Sequence, residues 1–153
     1  MSRRDQIKMG DEELAHFLEE QRTLICATNG VDGWPHLMPL WYVIRDGDVW
    51  AWTYAKSQKV RNLERDARAT LQVEAGDSYD QLRGVMVEAE TEIISHPDAV
   101  TRLGAELAAR YGGGSPGPEA LQAIARQAAK RVALHFRARR IASWDHRKLA
   151  GAY

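Results

Sequence analysis

The sequence predicts a mainly β protein with flanking helices (α+β), its antiparallel strands curled into a closed or split barrel. Three observations carry that expectation. Strand-like runs follow one another through short turns marked by Asn29-Gly30, Asp32-Gly33 and Asp46-Gly47, dipeptides suited to positive φ and tight hairpins. Residues 85–94 alternate, with Val85, Val87, Ala89, Thr91 and Ile93 on one face and Glu88, Glu90 and Glu92 on the other, so one face of that strand meets water. Helical spacing is confined to the start, to one short central stretch and to one long block, which sets the helices to one side of the sheet and argues against a parallel α/β arrangement.

Taken in order, residues 1–10 form a short polar tail, and residues 11–21 open the first helix. Asp11 is placed to cap it, Glu12 and Glu13 suit its first turn, and Leu14, Phe17 and Leu18 share a face. Residues 23–28 form a strand, residues 36–45 a second one rich in aromatic and β-branched side chains, and residues 49–54 a third, completing a meander. Pro39 has no N–H for a ladder, so the second strand needs an edge position or a bulge there. Residues 57–64 give a short helix, and residues 69–74 and 85–94 two more strands. A helical insertion, 97–130, begins at Pro97, carries Val100, Leu103, Leu107 and Tyr111 on one stripe, breaks at the glycines of 112–117 and resumes at Pro118. A final strand and tail, 132–153, close a single domain spanning 1–153.

Composition narrows the function. Lysine plus arginine number 21 and aspartate plus glutamate number 21, so any anion site must be a local cluster. The segment 131–140, RVALHFRARR, hints at a basic face, yet zero net charge argues against nucleic acid. Cys26, the sole cysteine, lies in an apolar strand and suits a buried thiol in a reducing compartment. Neither an apolar leader nor a stretch of about 20 apolar residues is present, and the expectation is a cytoplasmic protein without membrane contact. His16, His36, His96, His135 and His146 show no ligand-like spacing, so no metal site is predicted. His135 is expected to be a partly buried barrel residue. Trp34, Trp50 and Trp52 are expected in the core, with Trp41 facing a ligand. Sequence motifs for a Rossmann turn, a P-loop or a nucleophile elbow are missing.

The strongest local anomaly is the segment from Thr53 to Leu63. Lys56, Lys59 and Arg61 crowd the start of the short helix and Glu64 and Asp66 its end, opposite to what the helix dipole favours. Such inversions occur where function outweighs local stability. A bound phosphate would resolve this one, because free N–H groups, the dipole and the cations would face one anion. The same charges also fit a solvated basic turn.

The runs PHLMPLWYV, WAWTYAKSQKVRNLERDARATLQVE and RGVMVEAETEII resemble the pyridoxamine 5′-phosphate oxidase-like split-barrel superfamily, which binds FMN or the deazaflavin coenzyme F420. Within it the actinobacterial F420-dependent reductase branch is most similar, and the ending ASWDHRKL is a weaker match to that branch. The resemblance implies an antiparallel split barrel and a homodimer with the cofactor cleft at its interface. It places Met38, Pro39, Leu40 and Trp41 along the tricyclic ring, and Thr53, Lys56, Ser57, Lys59, Arg61 and Asn62 around the phosphate and its flanking chain. Trp144, His146 and Arg147 are candidates to reach the site from the second subunit. The implied activity is hydride transfer between reduced F420 and a conjugated small molecule, with solvent, Tyr79, His36 or His146 as proton donor. An FMN-dependent oxidase or flavin reductase, and a non-catalytic carrier or sensor, are the alternatives.

Overall fold

The computed structural model describes residues 2–150; Met1 and 151–153, part of the expected domain, lie outside the described residues. Helices α1 (Arg3–Ile7) and α2 (Asp11–Glu20) lead into strands β1 (Leu24–Asn29), β2 (Pro35–Leu40), β3 (Val43–Arg45) and β4 (Asp48–Tyr54). Helix α3 (Gln58–Arg65), strands β5 (Arg68–Ala75) and β6 (Arg83–Ile94), helices α4 (Pro97–Gly112) and α5 (Pro118–Ala128), and strand β7 (Arg131–Asp145) follow. The expected tail 1–10 is thus partly helical. Ser2 caps α1 reciprocally with Asp5, a capping box in a stretch that has no apolar periodicity to announce it. At α2 the cap position belongs to Gly10 instead of Asp11, and Glu13 Oε2 accepts the Gly10 N–H at 2.6 Å.

The strands form one antiparallel sheet in the order β2-β1-β5-β6-β7-β4-β3. The edges β2 and β3 are joined by Trp41 and Tyr42 alone, so Leu40 and Val43 lie within about 11 Å, three Cα steps. An open sheet whose two edges are consecutive in the chain has to curl until they meet. The result is a split barrel whose sheet stays open between β2 and β3. This is also why the predicted single strand 36–45 is two strands. Its break at Trp41 and Tyr42 lets the first half pair with β1 and the second with β4, and Pro39 sits on the edge strand as its missing N–H requires.

The barrel interior holds Leu24, Cys26, Ala51, Leu71, Val85, Leu134 and Phe136, and α2 covers one mouth with Phe17 and Leu18. On β4 the alternation sends Val49, Ala51 and Thr53 inward and Trp50 and Trp52 outward. The outward pair meets α4 and α5, forming a second core around Val100, Leu103 and Leu107. Trp34, expected inside, is 77% exposed in the β1–β2 turn. His135 is half-buried, stacks on Trp50 at 4.1 Å and lies 2.8 Å from Asp48. Arg137, Arg139 and Arg140 face Glu92, Glu90 and Glu88 across the β6–β7 ladder. The charge of these three arginines is matched on the protein itself.

Candidate functional site

At the start of α3, Ser57 is extended (φ −70°, ψ 155°) and its hydroxyl accepts the Val60 N–H at 3.4 Å, a weak N-cap. The helix turns Lys59 inward. Only 4% exposed, its Nζ donates to the buried Thr53 Oγ1 at 3.1 Å, and among the described residues no carboxylate lies within ion-pair distance. Burial pushes the amine below the ordinary lysine range. The thiol of Cys26, close enough to feel that charge, is itself pushed up to about 12 by burial and stays neutral. A buried ammonium held by one neutral hydroxyl costs several kcal/mol.

The remaining predicted phosphate residues divide into two groups. Lys56 and Arg61 are exposed and, among the described residues, have no acidic partner within ion-pair distance. Asn62 is fully enclosed. Its Nδ2 donates to Thr28 Oγ1 at 3.1 Å and its Oδ1 accepts from Gln58 at 2.9 Å, so it clamps α3 onto β1. Asp66 at the end of the helix is held well below the usual carboxylate range by hydrogen bonds from Arg68 and Asn29, so the charge that seemed misplaced in sequence is neutralised locally.

The predicted ring-facing strand lies at the split. The register sets Met38 opposite the buried Cys26, on the inner face, yet Met38 is 45% exposed because the barrel is open there. Pro39, Leu40 and Trp41 line a cavity of about 620 Å³ whose far walls are Trp52, Leu107 of α4 and Ile124 of α5. Gly104 makes that closure possible, since a Cβ there would lie 2.5 Å from the Trp52 ring. Trp41 stacks face to face on Tyr111, 4.3 Å between centroids and 4° between planes. The Tyr111 hydroxyl accepts the Tyr42 N–H at 2.9 Å and donates to the Arg22 carbonyl at 2.8 Å. Beside it, Arg110 donates to the carbonyls of Leu18, Gln21 and Tyr42. This clasp ties α4 to α2 and to the link between the sheet edges.

The tail candidates stand elsewhere. Trp144 lies over Gly84, Arg147 pairs with Asp145 at 2.7 Å, and the His146 ring packs edge-on to Tyr79 at 4.7 Å. Trp144 and His146 line a separate cavity of about 400 Å³ with α1. Strand β7 carries them away from Arg131 over a path on the order of 45 Å at ~3.3 Å per residue. None of Tyr79, His36 and His146 lines the larger cavity. Among the described residues, no three histidine, cysteine or acidic side chains are grouped to hold a metal.

Sequence reasoning missed Arg110, Tyr111 and Arg131, the last a lining residue of the larger cavity. A period-3.6 stripe did select Tyr111, but as core.

An antiparallel barrel split beside an apolar cavity, with a lone buried cation near its short helix, defines the fold class that binds flavin-type cofactors. The chain belongs to the pyridoxamine 5′-phosphate oxidase family, whose profile matches residues 11–145. Among solved structures it is similar to the conserved hypothetical protein Rv2991 from Mycobacterium tuberculosis, with 43% identity, a TM-score of 0.91 and coverage of 98% of this chain and 93% of that one. An F420 reductase (23% identity, TM-score 0.62, covering 82% and 93%) and the heme storage protein HutZ from Vibrio cholerae (14%, 0.68, 86% and 92%) share the fold. No curated protein matches. No helix among the described residues is long and apolar enough to cross a membrane.

Proposed function

We propose that the chain is an F420-dependent reductase that transfers hydride to a conjugated small molecule. The observation that carries this is Lys59, buried at the start of α3 with Thr53 Oγ1 as its one hydrogen-bond partner and no counter-charge. In this reading the cofactor's phosphate pairs with Lys59 and Ser57. Free N–H groups of the first turn of α3 add to the attraction. Lys56 and Arg61, exposed and unmatched, favour F420 over FMN, because the F420 tail is longer and carries several carboxylates. The similarity to an F420 reductase supports the same choice at the level of fold.

When bound, the deazaflavin ring supplies the hydride chemistry. The backbone of Met38 to Trp41 orients the ring along the split, and Trp52, Leu107 and Ile124 exclude bulk water from the face above it. Among the residues of this chain lining the cavity none is a carboxylic acid or an imidazole, which leaves solvent or a group from the second subunit as the donor of the proton that completes reduction. The chain works as a homodimer, for which the exposed apolar side chains of the β1–β2 hairpin, Ile25, Trp34 and Leu37, supply a surface.

Parallel titrations of the purified chain with F420 and with FMN, read by tryptophan quenching, test the proposal. Selective F420 binding followed by reduction of an enone by the reduced cofactor is the expected result. Preference for FMN would make the chain a flavin oxidase or reductase, and binding without turnover over a broad panel of electrophiles would make it a carrier.

A further inference from the structure

The larger cavity contains one charged side chain whose placement the cofactor phosphate does not explain. Arg131 opens β7 directly opposite Tyr54 on β4, with Trp52 its diagonal neighbour on the same face. That register sandwiches the guanidinium between two rings, 4.6 Å from the Trp52 centroid and 4.2 Å from that of Tyr54. Its Nε is buried without a hydrogen-bond partner, and among the described residues no carboxylate lies within ion-pair distance. Arg131 is the only charged residue among those lining this cavity. Two flat aromatic walls, Trp52 and the Trp41 indole held parallel to Tyr111, face it among mainly apolar side chains, with Thr23 and Gln127 the neutral polar groups of the lining.

We propose that this cavity takes a planar, apolar substrate bearing a carboxylate, and that Arg131 is the residue that selects for the acid. The assignment rests on the cavity being the substrate chamber of the reductase described above, and it names the substrate class. A guanidinium clamped on two rings has its fork fixed in advance, which suits bidentate recognition of a carboxylate and gives little to a neutral amide or ester. A volume of about 620 Å³ is within the range of sites that bury most of a drug-sized ligand. On its outer side Arg131 continues into a shallow groove with Arg126 and Lys130, which gives an acid a positive approach.

The test is an NMR titration of the cofactor-free chain with 2-naphthoate and with 2-naphthamide, followed at the Trp52 indole N–H. The acid should saturate at roughly ten-fold lower concentration than the amide or better, on the scale of a charge-assisted pair. Arg131→Gln should remove that preference and Arg131→Lys should restore part of it, while F420 affinity is unchanged in both. Equal binding of acid and amide, or an acid preference that survives Arg131→Gln, would overturn the assignment. So would a ten-fold loss of F420 affinity in Arg131→Gln, which would give this arginine to the cofactor's carboxylated tail. Failure of the unmutated chain to bind F420, with the naphthoate preference intact, would remove the cofactor proposal and leave Arg131 as the acid anchor.

Discussion

In the proposed function, Lys59 is a liability to the fold and an asset to the site. Burial without a counter-charge destabilises the ammonium, so Lys59→Met, which keeps most of the volume and drops the charge, should stabilise the cofactor-free protein by roughly 1–3 kcal/mol, or several degrees in Tm. Calorimetric melting of both proteins measures this. The pH dependence has a definite sign. Because the folded-state pKa of Lys59 is lowered, the unfolded chain holds that proton to higher pH than the folded one, and stability rises with pH between the two values. Affinity for a phosphate should fall over the same alkaline window as the ammonium is lost. In Lys59→Met both trends should be absent. The sequence made Lys59 visible through the inverted charge order of its helix. It could not reveal that Asn62, in the same run, is enclosed and bonded to Thr28 and Gln58, since burial of one helix face depends on which strand lies beneath it.

Among the elements, the barrel was legible because hairpin turns and the alternation of 85–94 are local signals. The break in the second strand was not. Trp41 and Tyr42 continue the β-rich pattern, and the chain leaves the strand there because Tyr42 is buried against α2 and Arg110 and Tyr111 hold its backbone from α4, partners about seventy residues away in sequence. The capping box of α1 escaped notice for a different reason. Five residues without an apolar stripe give no periodicity, and the helix is recognisable only by Ser2 and Asp5. At this scale Gly104 is the decisive contact between helices and sheet. Gly104→Ala should drive α4 away from Trp52, destabilise the protein by roughly 1–3 kcal/mol and change the fluorescence of the cavity tryptophans, measured by urea unfolding and emission spectra. An alanine tolerated without loss would mean that α4 is not pressed against Trp52.

For the whole molecule, the proposed homodimer needs a surface for a second subunit. Ile25 and Leu37 lie on one outer face of the β1–β2 pair, and Trp34 projects from its turn, an apolar strip on a protein whose outer β6–β7 face is covered by matched charges. Leu37→Glu combined with Ile25→Glu should convert the proposed dimer to a monomer in light scattering while the far-ultraviolet circular dichroism stays unchanged. Loss of F420 affinity in the same variant would show that the cleft needs both chains, as the resemblance of Trp144, His146 and Arg147 to a partner-facing tail implies. The tail's distance from the Lys59 site within one chain was not readable from sequence, because it follows from the length of β7 and from the path of that strand around the barrel.

The most direct measurement is calorimetric titration of F420 into the unmutated chain and into Lys59→Met. Lysine at this position should bind F420 tightly, and methionine should weaken binding by roughly ten- to a hundred-fold while melting higher, the magnitude expected for a lost charge-assisted hydrogen bond. Equal affinity in the two proteins would contradict the account, because the buried ammonium would then have no anion to meet.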